Sequence, residues 1–71
     1  MYRVGKCRLK ELSDQTGMRP VDLAQRTGYS ESSISEWARG EHVMRLEVAK
    51  NISAILGCDI EDLYEWIPRD S

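Results

Sequence analysis

The chain is poor in the residues that build proteins without a core. Two prolines and five glycines in 71 residues are too few for a collagenous or disordered chain. No run approaches the ~20 consecutive apolar residues of a membrane span. The opening segment, MYRVGKCRLK, lacks the apolar stretch of a secretory signal. There are two cysteines, Cys7 and Cys58, with no CxxC pair, and His42 is the single histidine. A zinc site needs about four ligands at close spacing, so no metal or other cofactor is expected. Both cysteines read as reduced thiols of a cytoplasmic protein, with Cys58 packed; a Cys7–Cys58 bridge is the alternative. With one histidine, no convergent acid–base set and no phosphate-cradling glycine loop, an enzyme is not expected.

What is present fits an ordinary globule, with 41% hydrophobic and 31% charged residues. The length allows one small domain, residues 1–71, with no segment left for a small-molecule-sensing domain. The net charge of −2 conceals an asymmetry. Residues 1–50 hold nine Lys/Arg against seven Asp/Glu, a balance of +2. Residues 51–71 hold one Arg against five Asp/Glu, a balance of −4. A polyanionic partner should meet the first two-thirds of the chain and avoid the tail.

Helix is the period that recurs. Leu9 and Leu12 sit among good helix formers from about Lys6 to Gln15, and Gly17 supplies a stop. Pro20 suits the first turn of a second helix, which carries Val21, Leu23 and Ala24 and closes at Gly28. Ser30 caps a third helix with Ile34, Trp37 and Ala38 on one face, ending at Gly40. Glu41 to Met44 reads as a loop. Leu46, Ala49, Ile52 and Leu56 mark a fourth helix from about Arg45. Asp59 caps an acidic fifth, about residues 59–67, with a stripe of Ile60, Leu63, Tyr64 and Ile67 before Pro68. No segment is read as a strand. The expected fold class is therefore all-α, a compact bundle of about five short helices.

Helices two and three are separated by a few residues that include a glycine, the sequence form of a helix-turn-helix over about residues 20–39. Gly28 can adopt the positive φ of a sharp turn. Ala24 is small where the helices approach, and Ile34 is apolar where the third helix turns inward. The N-terminal residues of that helix are then free to enter a DNA major groove.

These residues resemble the Cro/lambda-repressor-type helix-turn-helix regulators common in bacteria and their phages. The resemblance spans roughly Leu9 to Glu65 and is carried by LKEL, TGM, DLAQRTGYSESSISEWARG and LEVAKNISAILGCDIEDLYE. The family pattern is met at Leu23, Ala24, Gly28, Ser30, Ile34 and Gly40, and its close at Leu56, Gly57, Asp62 and Leu63. It implies a repressor-like transcription regulator that binds double-stranded DNA as a homodimer on a roughly palindromic site. Carried over by position, base readout falls to Ser30, Glu31, Ser32 and Glu36. Phosphate contact falls to Arg19, Ser33, Arg39, His42, Arg45 and Lys50. Val43 and Met44 in the loop and Trp66 off the last stripe are expected to be exposed, and with Ile67 to mediate dimerisation.

The chain also departs from the family pattern. Pro20 stands where relatives often carry Gln, and the loop after Gly40 opens on Glu41-His42 where it is often basic. Ser13 and Ala38 stand where many relatives hold an Arg–Glu pair, so both partners are gone together. Glu31 and Glu36 can accept from cytosine N4 but are repelled by phosphate. These departures keep an alternative open: the same scaffold as a protein-interaction module, an antirepressor or a subunit docking on another regulatory protein. Trp37 is expected in the core, and Tyr29 either over helix two or against phosphate.

Overall fold

A computed structural model of the protein describes residues 1–69. The order of elements is β1 (Tyr2–Cys7), α1 (Leu9–Thr16), α2 (Pro20–Thr27), α3 (Glu31–Ala38), α4 (Leu46–Leu56), a 3-10 turn (Ile60–Leu63) and β2 (Tyr64–Pro68). Among the described residues four helices thus stand where about five were expected, and the chain is not purely helical. Helix α1 begins after Arg8, so Lys6 belongs to a strand.

The correction at the two ends has one cause. Ile60, Leu63, Tyr64 and Ile67 fit a helical stripe, but the helix stops after a single 3-10 turn that seats Leu63 at 0% exposure. Tyr64, Trp66 and Ile67 then favour an extended chain. Strand β2 pairs antiparallel with β1: Tyr2 opposite Pro68, Arg3 opposite Ile67, Val4 opposite Trp66 and Cys7 opposite Tyr64, with a register shift between Val4 and Cys7. Gly5 lies in that irregular stretch. A Cβ there would fall 2.8 Å from the Glu65 carbonyl oxygen. The Arg8 N–H donates to the Leu63 carbonyl at 2.7 Å, closing the ribbon onto the helical body.

The core joins Leu9 and Leu12 of α1, Leu23 of α2, Ile34 of α3, Ala49, Ile52 and Leu56 of α4, and Leu63. Cys7, Met44 and Tyr64 complete it. Both cysteines are free thiols; Cys7 is buried and Cys58 half-buried. Burial and the neighbouring Asp62 and Asp59 push the Cys58 thiol pKa up. Leu46 is an exception to the expected stripe, 77% exposed in the first turn of α4. Among the described residues no helix is long and apolar enough to cross a membrane.

Candidate nucleic-acid interface

The turn between α2 and α3 is built by short-range bonds. Gly28 adopts φ 83°, and its N–H donates to the Ala24 carbonyl at 2.8 Å. The Thr27 hydroxyl donates to the Leu23 carbonyl at 2.7 Å and accepts the Tyr29 N–H at 3.1 Å. Ser30 then caps α3: its Oγ accepts the Ser33 N–H at 3.1 Å and donates to Ser33 Oγ at 3.0 Å. The Ser30 hydroxyl is thus tied to Ser33 on both sides, and the Ser33 N–H already takes one of its acceptor lone pairs.

Ile34 fixes the direction of α3. It is 1% exposed, and Trp37 and Ala38, three and four residues on, pack against the same core. Helical spacing turns Glu31, Ser32 and Arg39 to solvent, with Ser35 and Glu36 half-buried. Tyr29 lies edge-on to Trp37 with ring centroids 5.5 Å apart, and its Oη accepts from Asn51 Nδ2 at 3.0 Å. The ring thus covers the junction of α2, α3 and α4. Asn51, which sequence reasoning passed over, holds it there.

The surface is crossed by ion pairs. The Arg39 guanidinium is bound to Glu41. Glu36 faces His42 at 3.9 Å. At the start of α2, Asp22 accepts the Arg19 N–H at 2.9 Å and lies 3.3 Å from its guanidinium. Those two bonds to Arg19, the backbone one foremost, hold the Asp22 carboxyl below the usual range. A carboxylate therefore occupies the N-terminal end of α2, the end of a helix that favours anions. Arg45 and Lys50 are exposed, and neither takes part in an ion pair among the described residues.

The expected association residues differ in exposure and in the element that carries them. Val43 is 61% exposed on the loop between α3 and α4. Met44, expected to be exposed, is 6% exposed, and its N–H donates to Tyr64 Oη at 3.0 Å. Burial pushes the Tyr64 phenol pKa up. The loop needs an anchor after the α3 stop, and Met44 provides it by entering the core. Trp66 and Ile67 lie on β2, not on a helix, and successive strand residues point to opposite faces. Ser13 and Ala38 line an open cleft of about 290 Å³ between α1, α2 and α3, together with the buried Leu9, Leu23 and Ile34.

Residues 8–69 match the Cro/C1-type HTH DNA-binding domain. The chain is also similar to two proteins of Bacillus subtilis (strain 168). One, the SPbeta prophage-derived uncharacterized HTH-type transcriptional regulator YopS, is 34% identical over 64 residues, covering 89% of this chain and 86% of that protein. The other, the SPbeta prophage-derived uncharacterized HTH-type transcriptional regulator YotL, is 33% identical over 60 residues, covering 83% and 75%. With α2, a positive-φ glycine turn and a capped, core-seated α3 spanning the middle of the match, the chain belongs to the Cro/C1-type helix-turn-helix DNA-binding family.

Proposed function

We propose that the chain is a sequence-specific transcriptional regulator that lays α3 in the major groove of duplex DNA, as a homodimer on a roughly palindromic operator with half-sites ~34 Å apart. The observation that carries this reading is the posture of α3. Its first turn is exposed and capped by Ser30, while Ile34 locks its rear face in the core. Glu31, Ser32 and Glu36 read base edges, with a single acceptor from Ser30. Arg45 and Lys50 supply standing positive charge for phosphates, and Arg19, Ser33, Arg39 and His42 join once their internal partners are exchanged.

The ion pairs at Arg39 and Arg19 favour a second reading, a helix-turn-helix scaffold docking on another regulatory protein. Selection from a randomised duplex pool, followed by mobility shifts at low and moderate salt, separates the two. The regulator binds duplex with a salt-dependent affinity and enriches a sequence. Arg39→Ala weakens binding to every sequence alike, whereas Ser32→Ala changes the preference among sequences. No duplex affinity at low salt, with none gained by the Glu31→Lys/Glu36→Lys double variant, overturns the reading and leaves the docking module.

A further inference from the structure

The β1–β2 ribbon carries an apolar face that the monomer leaves uncovered. Residues directly opposite in an antiparallel pair share a face. The register therefore puts Tyr2, Val4, Trp66 and Pro68 on one side, and Arg3 and Ile67 on the other. Tyr2 is 68% exposed, Trp66 42% and Val4 36%, with Met1 at the margin. Tyr2, Glu61 and Trp66 line an open hollow of about 430 Å³ beside this face. Trp66 is held in place: its Nε1–H donates to the Glu61 carbonyl at 3.0 Å, and its ring lies edge-on to Tyr64 at 6.5 Å. The face is thus preformed and belongs to a two-stranded ribbon, an element that is marginal unless something packs on it.

We infer that this face is a self-association surface, covered by the same face of a second copy related by a two-fold axis. Three observations choose that occupant. First, the four paired positions carry no charged side chain, so stacking these four against their copies brings no ribbon charge into the contact. Second, pairing by strand edge is opposed on both sides. The β1 edge carries Arg3 and Lys6, charged residues of the kind that blunt strand pairing, and Pro68 takes one donor from the β2 edge. Third, the area fits a weak dimer. At ~150–250 Å² per large aromatic, the exposed parts of Tyr2 and Trp66, with Met1, Val4 and Pro68, offer on the order of 400 Å² per copy. A pair then buries about 800 Å², the range of reversible association. The inference rests on the proposed regulator for its purpose, since a palindromic operator needs two copies, but its geometry stands without DNA.

Sedimentation equilibrium of the full chain, without DNA, tests it. The wild type dimerises reversibly below ~500 µM, and Trp66 emission moves to shorter wavelength as concentration rises. Tyr2→Glu, at an exposed position, weakens the dimer at least ~30-fold, the loss typical of an interface hot spot. Tyr2→Ser, a milder change, weakens it in the same direction, and circular dichroism checks that both variants keep the wild-type helix content. Val43→Glu, on the α3–α4 loop, leaves the dimer intact. A wild type that stays monomeric to ~500 µM, a dimer that Val43→Glu dissociates, or one that folded Tyr2 variants leave unchanged overturns the inference. An intact dimer without duplex affinity strikes only the regulator reading; duplex binding by a monomer strikes this inference and the homodimer of the proposed function, and leaves DNA binding itself standing.

Discussion

The α2–turn–α3 unit and the β1–β2 ribbon each depend on a glycine, for opposite reasons. Gly28 has open space around the position of its missing Cβ but sits at φ 83°. Gly5 has no positive φ, yet its missing Cβ would press on the Glu65 carbonyl oxygen. The first is a constraint of a residue on its own backbone. The second is imposed by a strand about sixty positions away in the chain. The helical unit is built from bonds that reach two to four residues, at Ala24–Gly28, Leu23–Thr27 and Ser30–Ser33. The ribbon exists only once the two ends of the chain have met, at the entropic cost of closing nearly the whole chain.

Leu63 is where the two regions meet, so its truncation has the largest expected effect. It is 0% exposed, at the end of the 3-10 turn, and its carbonyl receives the Arg8 N–H. Leu63→Ala costs about 2–5 kcal/mol, a large share of the stability of so small a domain. Urea unfolding followed by helix signal and, in a Trp37→Phe background that leaves Trp66 as the one indole, by tryptophan fluorescence checks it. Both probes should shift to lower urea together. A shift confined to Trp66 means that the ribbon unfolds separately from the helices.

Gly5→Ala comes next and is aimed at the ribbon alone. The new methyl meets backbone, which yields less readily than a side chain, at a cost of about 1–3 kcal/mol. Hydrogen exchange should show faster amides from Tyr2 to Cys7 and from Tyr64 to Pro68, with α2 and α3 protected as before. Gly28→Ala is the converse test. The left-handed backbone costs an alanine ~1–2 kcal/mol, with no clash against the rest of the fold. Here protection should fall in α2 and α3 while the ribbon is unchanged. Uniform loss in both variants would dissolve the distinction between a local and a closed-loop element.

The same contrast explains which parts of the fold the sequence discloses. Helices α2, α3 and α4, and the seating of Leu23, Ile34 and Ile52, follow from periods of three and four residues. Pro20 at the first turn of α2 and Ser30 as a cap follow from local chemistry in the same way. The strands do not. Tyr2, Val4 and Trp66 alternate with Arg3 and Glu65, but each run is short, and a one-turn 3-10 helix mimics the start of a longer one. Only a pairing across the whole chain decides between them. Met44 was misplaced for a related reason. Its burial depends on Tyr64, twenty positions later, turning its hydroxyl toward the loop. At the candidate interface, the outward residues of α3 were legible by helical spacing, whereas the partners that occupy them were not. Glu41 on Arg39 and Asp22 on Arg19 are matters of side-chain geometry.

The smallest expected effect sharpens the comparison within the helical unit itself. Asp22 serves the fold and opposes the proposed ligand at the same time. Its carboxylate accepts the Arg19 N–H at the start of α2, and Arg19 holds its pKa below the ordinary carboxylate value. The folded-state pKa is depressed, so the stabilisation is present above the unfolded pKa, ~4, and is lost as pH falls through the lower folded value. Asp22→Asn should therefore lower the melting temperature slightly at pH 7 and leave it nearly equal to wild type at pH 2–3. The same substitution removes a negative charge from the end of α2 and releases the Arg19 guanidinium. Affinity for duplex DNA at low salt should rise a few-fold on all sequences, and the slope of log affinity against log salt should steepen by up to ~1. A variant that melts earlier at pH 7 without gaining duplex affinity would mean that the α2 start lies away from the phosphates.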